Sequence, residues 1–225
     1  MTDGDPALPA QGALEAYAAL AAHQLGEAVA LMRGASSVLE AQRGRLGPGG
    51  EDALRAIDAG SARAQRFVDD LLDLVRAGGE PVDEPPAALD DALDAVLADL
   101  DEPLRRASLN VLRHPLPTAG LAPSEAQMLL RHLVRAALAA GAHRLQFEAH
   151  DRDGAVVLEV LDDGAVPREG DDPFEPFQRP RGRGPYVGAG VGLVICRRLA
   201  ERRGGRAELT RGEDRVMVTL HLPAA

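Results

Sequence analysis

The chain has 225 residues, 45% of them apolar, with no tryptophan, one cysteine and a formal net charge of −10. That length holds one large or two small domains, with enough Leu, Ala and Val for a real core. Lone Cys196 excludes an internal disulfide and a zinc cluster, the acidic balance argues against a broad nucleic-acid surface, and no apolar run approaches the ~20 residues that span a bilayer. The opening MTDGDPALPA lacks the basic and apolar regions of a signal peptide, so the expected compartment is the cytoplasm.

After about ten irregular residues the pattern turns helical. Leu14, Ala18, Ala21, Leu25, Ala28, Met32, Ala35 and Leu39 step by four and three, as a heptad seam does. GRLGPGG, at residues 44–50, breaks it. A second seam follows at Leu54, Ile57, Ser61, Ala64, Val68, Leu71 and Val75, ending at Gly78-Gly79. Residues 11–78 are therefore expected to form an antiparallel helical hairpin. So narrow an apolar stripe cannot bury itself, whereas two copies can pair as a four-helix bundle, which predicts a homodimer. His23 lies off this seam. It reads either as an ordinary exposed histidine or as a nucleophile, since an imidazole takes a phosphoryl group when a neighbour orients it or accepts its proton.

Glu80 to Pro86 is acidic and proline-rich, a linker signature. Residues 87–223 then read as a second domain. Ala87 to Leu100 is an amphipathic helix, Ala107 to Leu112 a short strand, and Leu116-Pro117 a turn. A helix N-capped by Ser124 runs to about Ala140. Strands at His143–His150 and Ala155–Leu161 flank a turn at residues 151–154. A long polar stretch, Ala165 to Val187, reads as a functional lid. Gly188, Gly190 and Gly192 follow at alternate positions and lead into a helix stopped by Gly204-Gly205. Strands near Arg206–Thr210 and Arg215–Leu222 complete a mixed sheet, with three helices expected on one face. A glycine loop feeding a helix N-terminus suits phosphate. The spacing is not that of a P-loop, and no strand leads into it as a dinucleotide site requires.

Several segments agree in order and spacing with one family. AHQLGEAVALMRG (residues 22–34) resembles a phosphoacceptor block, and RFVDDLLDLVR (66–76) the second helix of its hairpin. VLDDGAV (160–166) resembles an Asp-x-Gly-x-Gly box, FEPFQR (174–179) a lid motif, GAGVGL (188–193) a phosphate-side glycine box, and VMVTLHLP (216–223) a closing strand. Over nearly its whole length the chain resembles the catalytic core of bacterial sensor histidine kinases. The resemblance implies a helical hairpin, a four-helix bundle on dimerisation, followed by an α/β two-layer sandwich of Bergerat type that binds ATP. It further implies that His23 is the phosphoacceptor, that Asp162 reads the adenine amino group, and that Gly164 permits close base contact. Gly188, Gly190, Gly192 and Leu193 would surround the triphosphate, while Phe174 and Phe177 would brace the lid. For Asp162 the plain alternative is capping the turn after a strand; for the two phenylalanines it is satellite core.

Three positions depart from the family pattern. Gln24 follows His23 where an acid is usual; glutamine can orient the ring but accepts no proton. Arg135 stands where a magnesium-binding asparagine is expected, and a guanidinium cannot ligate a cation. Leu138 replaces a lysine, and Val166 the second glycine of the Asp-x-Gly-x-Gly box. The expected cofactor is therefore ATP, weakly held and with little help from Mg2+, Arg135 pairing with phosphate oxygens instead. Two readings follow. One is a kinase that passes phosphate from ATP to His23 and on to a response-regulator aspartate, with input from a separate sensor protein. The other is a catalytically impaired relative, acting as a histidine phosphotransferase or dimeric scaffold. A DNA-binding role for the arginines of residues 179–183 and 197–206 is the weaker explanation beside a lid and a solvated helix face.

Overall fold

The computed structural model describes residues 11–152, 154–168, 170–176 and 190–225, with side chains from residue 20 onward. The chain divides into two compact units, one ending at Val75 and one comprising Arg76–Ala225.

The first unit is a helical hairpin. Helix α1 spans Gln11–Glu40 and α2 spans Pro48–Gly78, joined through a 3-10 turn at Arg43–Arg45. Helix α1 buries one residue per heptad, Ala22, Val29 and Ser36, and α2 buries Leu54, Ser61 and Val68 at the same spacing, with Asp70, Asp73 and Ala77 also buried toward its end. Leu54, Ser61 and Val68 are seam positions. On α1 the buried stripe lies one residue beyond the expected one, and Ala21, Ala28 and Ala35 are exposed. Leu25, Met32 and Leu39 stay 51%, 45% and 39% exposed within the single chain. The physical reason is that one partner helix covers only one stripe of α1. The larger apolar residues on the adjacent stripe are left over.

The second unit is an α/β two-layer sandwich. Its sheet runs in the order β2 (Asn110–Arg113), β4 (Arg144–Arg152), β5 (Ala155–Asp162), β7 (Val216–Pro223), β6 (Arg206–Arg211). Only β2 and β4 are parallel; the other neighbours are antiparallel. Strand alternation sends Leu145, Phe147, Val156, Leu158, Val160, Val218, Leu220 and Leu222 into the core. Helices α3 (Leu89–Asp99), α5 (Pro123–Ala140) and α6 (Gly192–Arg202) meet them with residues at helical spacing, among them Leu93, Leu129, Leu130, Leu133, Ile195 and Leu199. Cys196 is buried here, its thiol 3.5 Å from the Leu129 carbonyl.

Three local expectations are corrected. Residues Asp101–Ala107, to which the sequence assigns no element before Ala107, form a further helix, α4, closed by Ser108 at φ 54°, and the strand expected from Ala107 begins at Asn110. Acid-to-arginine pairs one turn apart, Asp101–Arg105 and Glu102–Arg106, favour that helix. Ala87–Ala88 is a short strand, β1, paired with β3 at Thr118–Ala119, so α3 begins at Leu89. Helix α5 is capped at Ala122 with Pro123 in its first turn, so Ser124 is not the cap; the Glu125 side chain reaches back to the Ala122 N–H instead.

Candidate functional site

His23 lies on the exposed side of α1, its side chain 73% accessible, with Nε2 3.5 Å from Glu27 Oε1. A spacing of four residues puts the two side chains one above the other on the same helix face. Gln24 is also exposed but cannot accept a proton. Glu27 places a carboxylate beside the ring. Reasoning from the residue adjacent to His23 misses Glu27; the signal in the sequence is the spacing of four residues.

In the second unit the sequence-predicted residues gather around α5. Asp162 ends β5, and its Oδ1 accepts the Gly164 N–H at 2.8 Å. Burial raises the Asp162 carboxyl above the usual range; the Gly164 N–H opposes that rise and the neighbouring Asp163 adds to it. Asp163 faces the other way, accepting the N–H groups of His143 at 2.7 Å and Arg144 at 2.8 Å. Its burial acts upward, yet these backbone donors outweigh it and hold the carboxyl below the usual range. Capping the start of β4 thus falls to Asp163. Asp162 is left half-buried with one internal donor, closing an Asx turn.

Gly164 is tightly enclosed. A Cβ there would lie 2.6 Å from the Ala140 Cβ and 2.8 Å from Asp162 Oδ1. The Ala165 N–H donates to the Ala140 carbonyl at 2.9 Å, so the box after β5 docks on the C-terminal end of α5. The glycine box meets the same helix further back. Gly190 takes φ 76°, a left-handed conformation that glycine adopts without penalty, and α6 starts at Gly192. A Cβ on Gly192 would come 3.4 Å from His132 Nδ1 on α5. Arg135 stands half-buried one turn beyond His132. Helix α5 is therefore the common support of the aspartate turn, the glycine box and Arg135.

Leu193 is half-buried in the first turn of α6. Phe174 is buried, with the Arg197 guanidinium 5.3 Å from its ring centroid and Arg197 Nη2 donating to its carbonyl at 3.0 Å. This arrangement ties the chain at Phe174 to α6. Phe177 and Gly188 lie outside the described residues.

The constellation fits an adenine nucleotide. A half-buried carboxylate stands beside a glycine whose Cβ space is already filled, and a helix of 11 residues presents its N-terminus behind a left-handed glycine. It does not fit a magnesium ion at the expected place, because the residue there is Arg135 and the single asparagine, Asn110, sits on β2. Arginines 202, 203 and 206 are engaged within the domain, the first two with Glu125 and the third with Glu208, which leaves them poorly placed to form a nucleic-acid face. Among the described residues no helix is long and apolar enough to cross a membrane.

Residues 122–225 match the family model described as "Histidine kinase-, DNA gyrase B-, and HSP90-like ATPase". The chain is 25% identical over 199 residues to cyanobacterial phytochrome A of Nostoc sp. (strain PCC 7120), which covers 86% of the chain and 26% of that protein. Its fold is similar to full-length ShkA in complex with AMPPNP, with a TM-score of 0.71 and 19% identity over 93% of this chain and 46% of that one. Acinetobacter baumannii histidine kinase AdeS superposes with a TM-score of 0.59 at 16% identity, over 89% of this chain and 97% of that one. The chain thus spans about a quarter of the phytochrome relative's length and under half of ShkA.

Proposed function

Residues 122–225 belong to the histidine kinase-, DNA gyrase B- and HSP90-like ATPase family, and from that premise we propose that the chain is a histidine-kinase-type signalling protein. In this reading the second unit holds an adenine nucleotide, His23 accepts the phosphoryl group, and an aspartate of a response-regulator receiver domain receives it in turn. The observation that carries the reading is the convergence on α5 of the Asp162–Gly164 turn, the Gly190–Gly192 box and Arg135.

ATP, when bound, supplies the γ-phosphoryl group. Asp162 would accept a hydrogen bond from the adenine amino group, and Gly164 would let the base lie against the chain without a side chain between. The Gly190–Gly192 segment would offer backbone N–H groups to phosphate, with Arg135 adding a charged donor from α5. Glu27, beside Nε2, would hold the His23 ring and accept the Nε2 proton as Nδ1 bonds to the γ-phosphorus and the bond from that phosphorus to the departing ADP breaks, the role that Gln24 cannot fill. Without a metal ligand at residue 135 the phosphates are held by charge but less well aligned, so slow transfer is expected.

Arg135 also favours a second reading, in which His23 relays phosphate received from a receiver domain and the nucleotide serves regulation. The exposed Leu25, Met32 and Leu39 support a homodimer through the hairpin. A cytoplasmic location and input from a separate sensor protein complete the proposal. Calorimetric titration of ATP with Mg2+ and with chelator, on the parent and on Asp162→Asn, tests it. Binding that survives chelation and falls in Asp162→Asn is expected; no binding under either condition would overturn the nucleotide site.

A further inference from the structure

The face of the sheet turned away from α5 carries an unusual row. Backbone pairing sets Glu148 of β4 directly opposite Glu159 of β5. Like charges at directly opposed positions destabilise an antiparallel pair. Among the described residues no arginine comes within ion-pair distance of either carboxylate, in a chain whose 25 cationic residues are all arginine. The nearby Glu208, by contrast, has Arg206 at 2.6 Å.

Imidazoles take the place of arginines. His150, two residues along β4 and hence on the same face, has Nε2 3.8 Å from Glu159 Oε2. His114 follows β2, and its N–H donates to the Phe147 carbonyl, which brings the side chain level with Glu148; Nε2 lies 3.6 Å from Glu148 Oε1. One ligand atom each from Glu148, His150 and Glu159 lies within 4.8 Å of the other two. Two strands thus present three convergent nitrogen and oxygen donors, with a second imidazole beside them.

We propose that this cluster is a site for a borderline divalent transition-metal ion, with Zn2+ as the natural probe, formed by Glu148, His150 and Glu159, with His114 beside Glu148. The donor set decides the class. Imidazole with carboxylate suits Zn2+ and its neighbours, whereas Mg2+ and Ca2+ take oxygen ligands. Bound metal neutralises the opposed glutamates and fastens β4 to β5. The site lies on the opposite sheet face from α5 and does not depend on the nucleotide reading.

His114 and His150 are exposed and Glu148 and Glu159 are about one-third exposed, so replacing them should leave the fold intact, which the melting temperature of the metal-free variants verifies. The full chain is titrated with Zn2+ in competition with a chromophoric chelator. We expect one ion per chain, no displacement by equimolar Mg2+, and a loss of affinity of at least about tenfold in His150→Ala and in Glu159→Gln, with a smaller loss in His114→Ala. Zn2+ should also raise the melting temperature of the parent but not of His150→Ala. Absence of Zn2+ binding, or binding that both replacements leave unchanged, would overturn the proposal.

Discussion

Glu125 and Arg203 form an ion pair in which both Nε and Nη2 of the arginine donate to the same carboxylate oxygen, at 3.0 and 2.7 Å. The other oxygen takes Arg202 Nη2 at 2.6 Å and the Val82 N–H at 3.0 Å. Both arginines also donate to backbone carbonyls before the sheet domain proper: Arg202 to those of Arg76, Gly79 and Glu80, Arg203 to that of Val82. A nearly fully buried glutamate therefore organises the segment 76–82 against the end of α6.

Removing one partner of a buried pair leaves charge uncompensated, so Glu125→Gln should destabilise the second unit by about 3 kcal/mol in denaturant unfolding. Burial alone would raise the Glu125 carboxyl, but the N–H groups of Val82 and Ala122 and the two arginines outweigh it and hold it below the usual range. A depressed carboxylate contributes stability that is fully present above the unfolded-state value and lost as pH falls through the folded one. The gap between parent and Glu125→Gln should therefore close on the acid side. A gap constant down to strongly acid pH would contradict this linkage.

Gly164→Ala inserts a methyl group into space held by Ala140 Cβ and Asp162 Oδ1. Overpacking of this kind costs about 1–3 kcal/mol, and here it displaces the aspartate turn itself. ATP affinity measured by calorimetry should fall by roughly fivefold to a hundredfold, the range to which such an energy converts. Unchanged affinity would show that the turn does not contact the nucleotide.

Leu25 is half-exposed in the single chain, so Leu25→Asp should leave the melting of an isolated hairpin nearly unchanged. Burying that charge at a subunit interface would cost several kcal/mol. Sedimentation should show a dimer for the parent at micromolar concentration and a monomer for the variant. A monomeric parent would remove the basis for the bundle.

The sheet domain was legible in the sequence because its strands alternate and its helices carry one apolar stripe. Leu145 with Phe147 and Ile195 with Leu199 sit where those periods place them. Helix α4 was less legible, since a seven-residue helix has too few apolar positions to set a period and its evidence is a pair of ion pairs. On α1 the heptad itself was visible, but whether Ala21 or Ala22 faces α2 depends on rotation about the helix axis, which a run of alanines does not fix. At the site, the sequence singles out the turn at residues 162–164 and the glycine box, and the structure sets Gly164 and Gly192 against α5. The division of labour between Asp162 and Asp163 was not legible, because it follows from which carboxylate meets the backbone of His143.

The most direct measurement is labelling of the purified chain with ATP radiolabelled at the γ-phosphate, followed by tests of acid and alkali stability. The parent should acquire slow, acid-labile, alkali-stable label. Glu27→Gln should label roughly tenfold or more slowly, as expected on losing a proton acceptor, and His23→Ala should not label at all. Label that persists in His23→Ala, or a parent that takes none from ATP or from a phosphorylated receiver domain, would contradict the assignment of His23 as the phosphoacceptor.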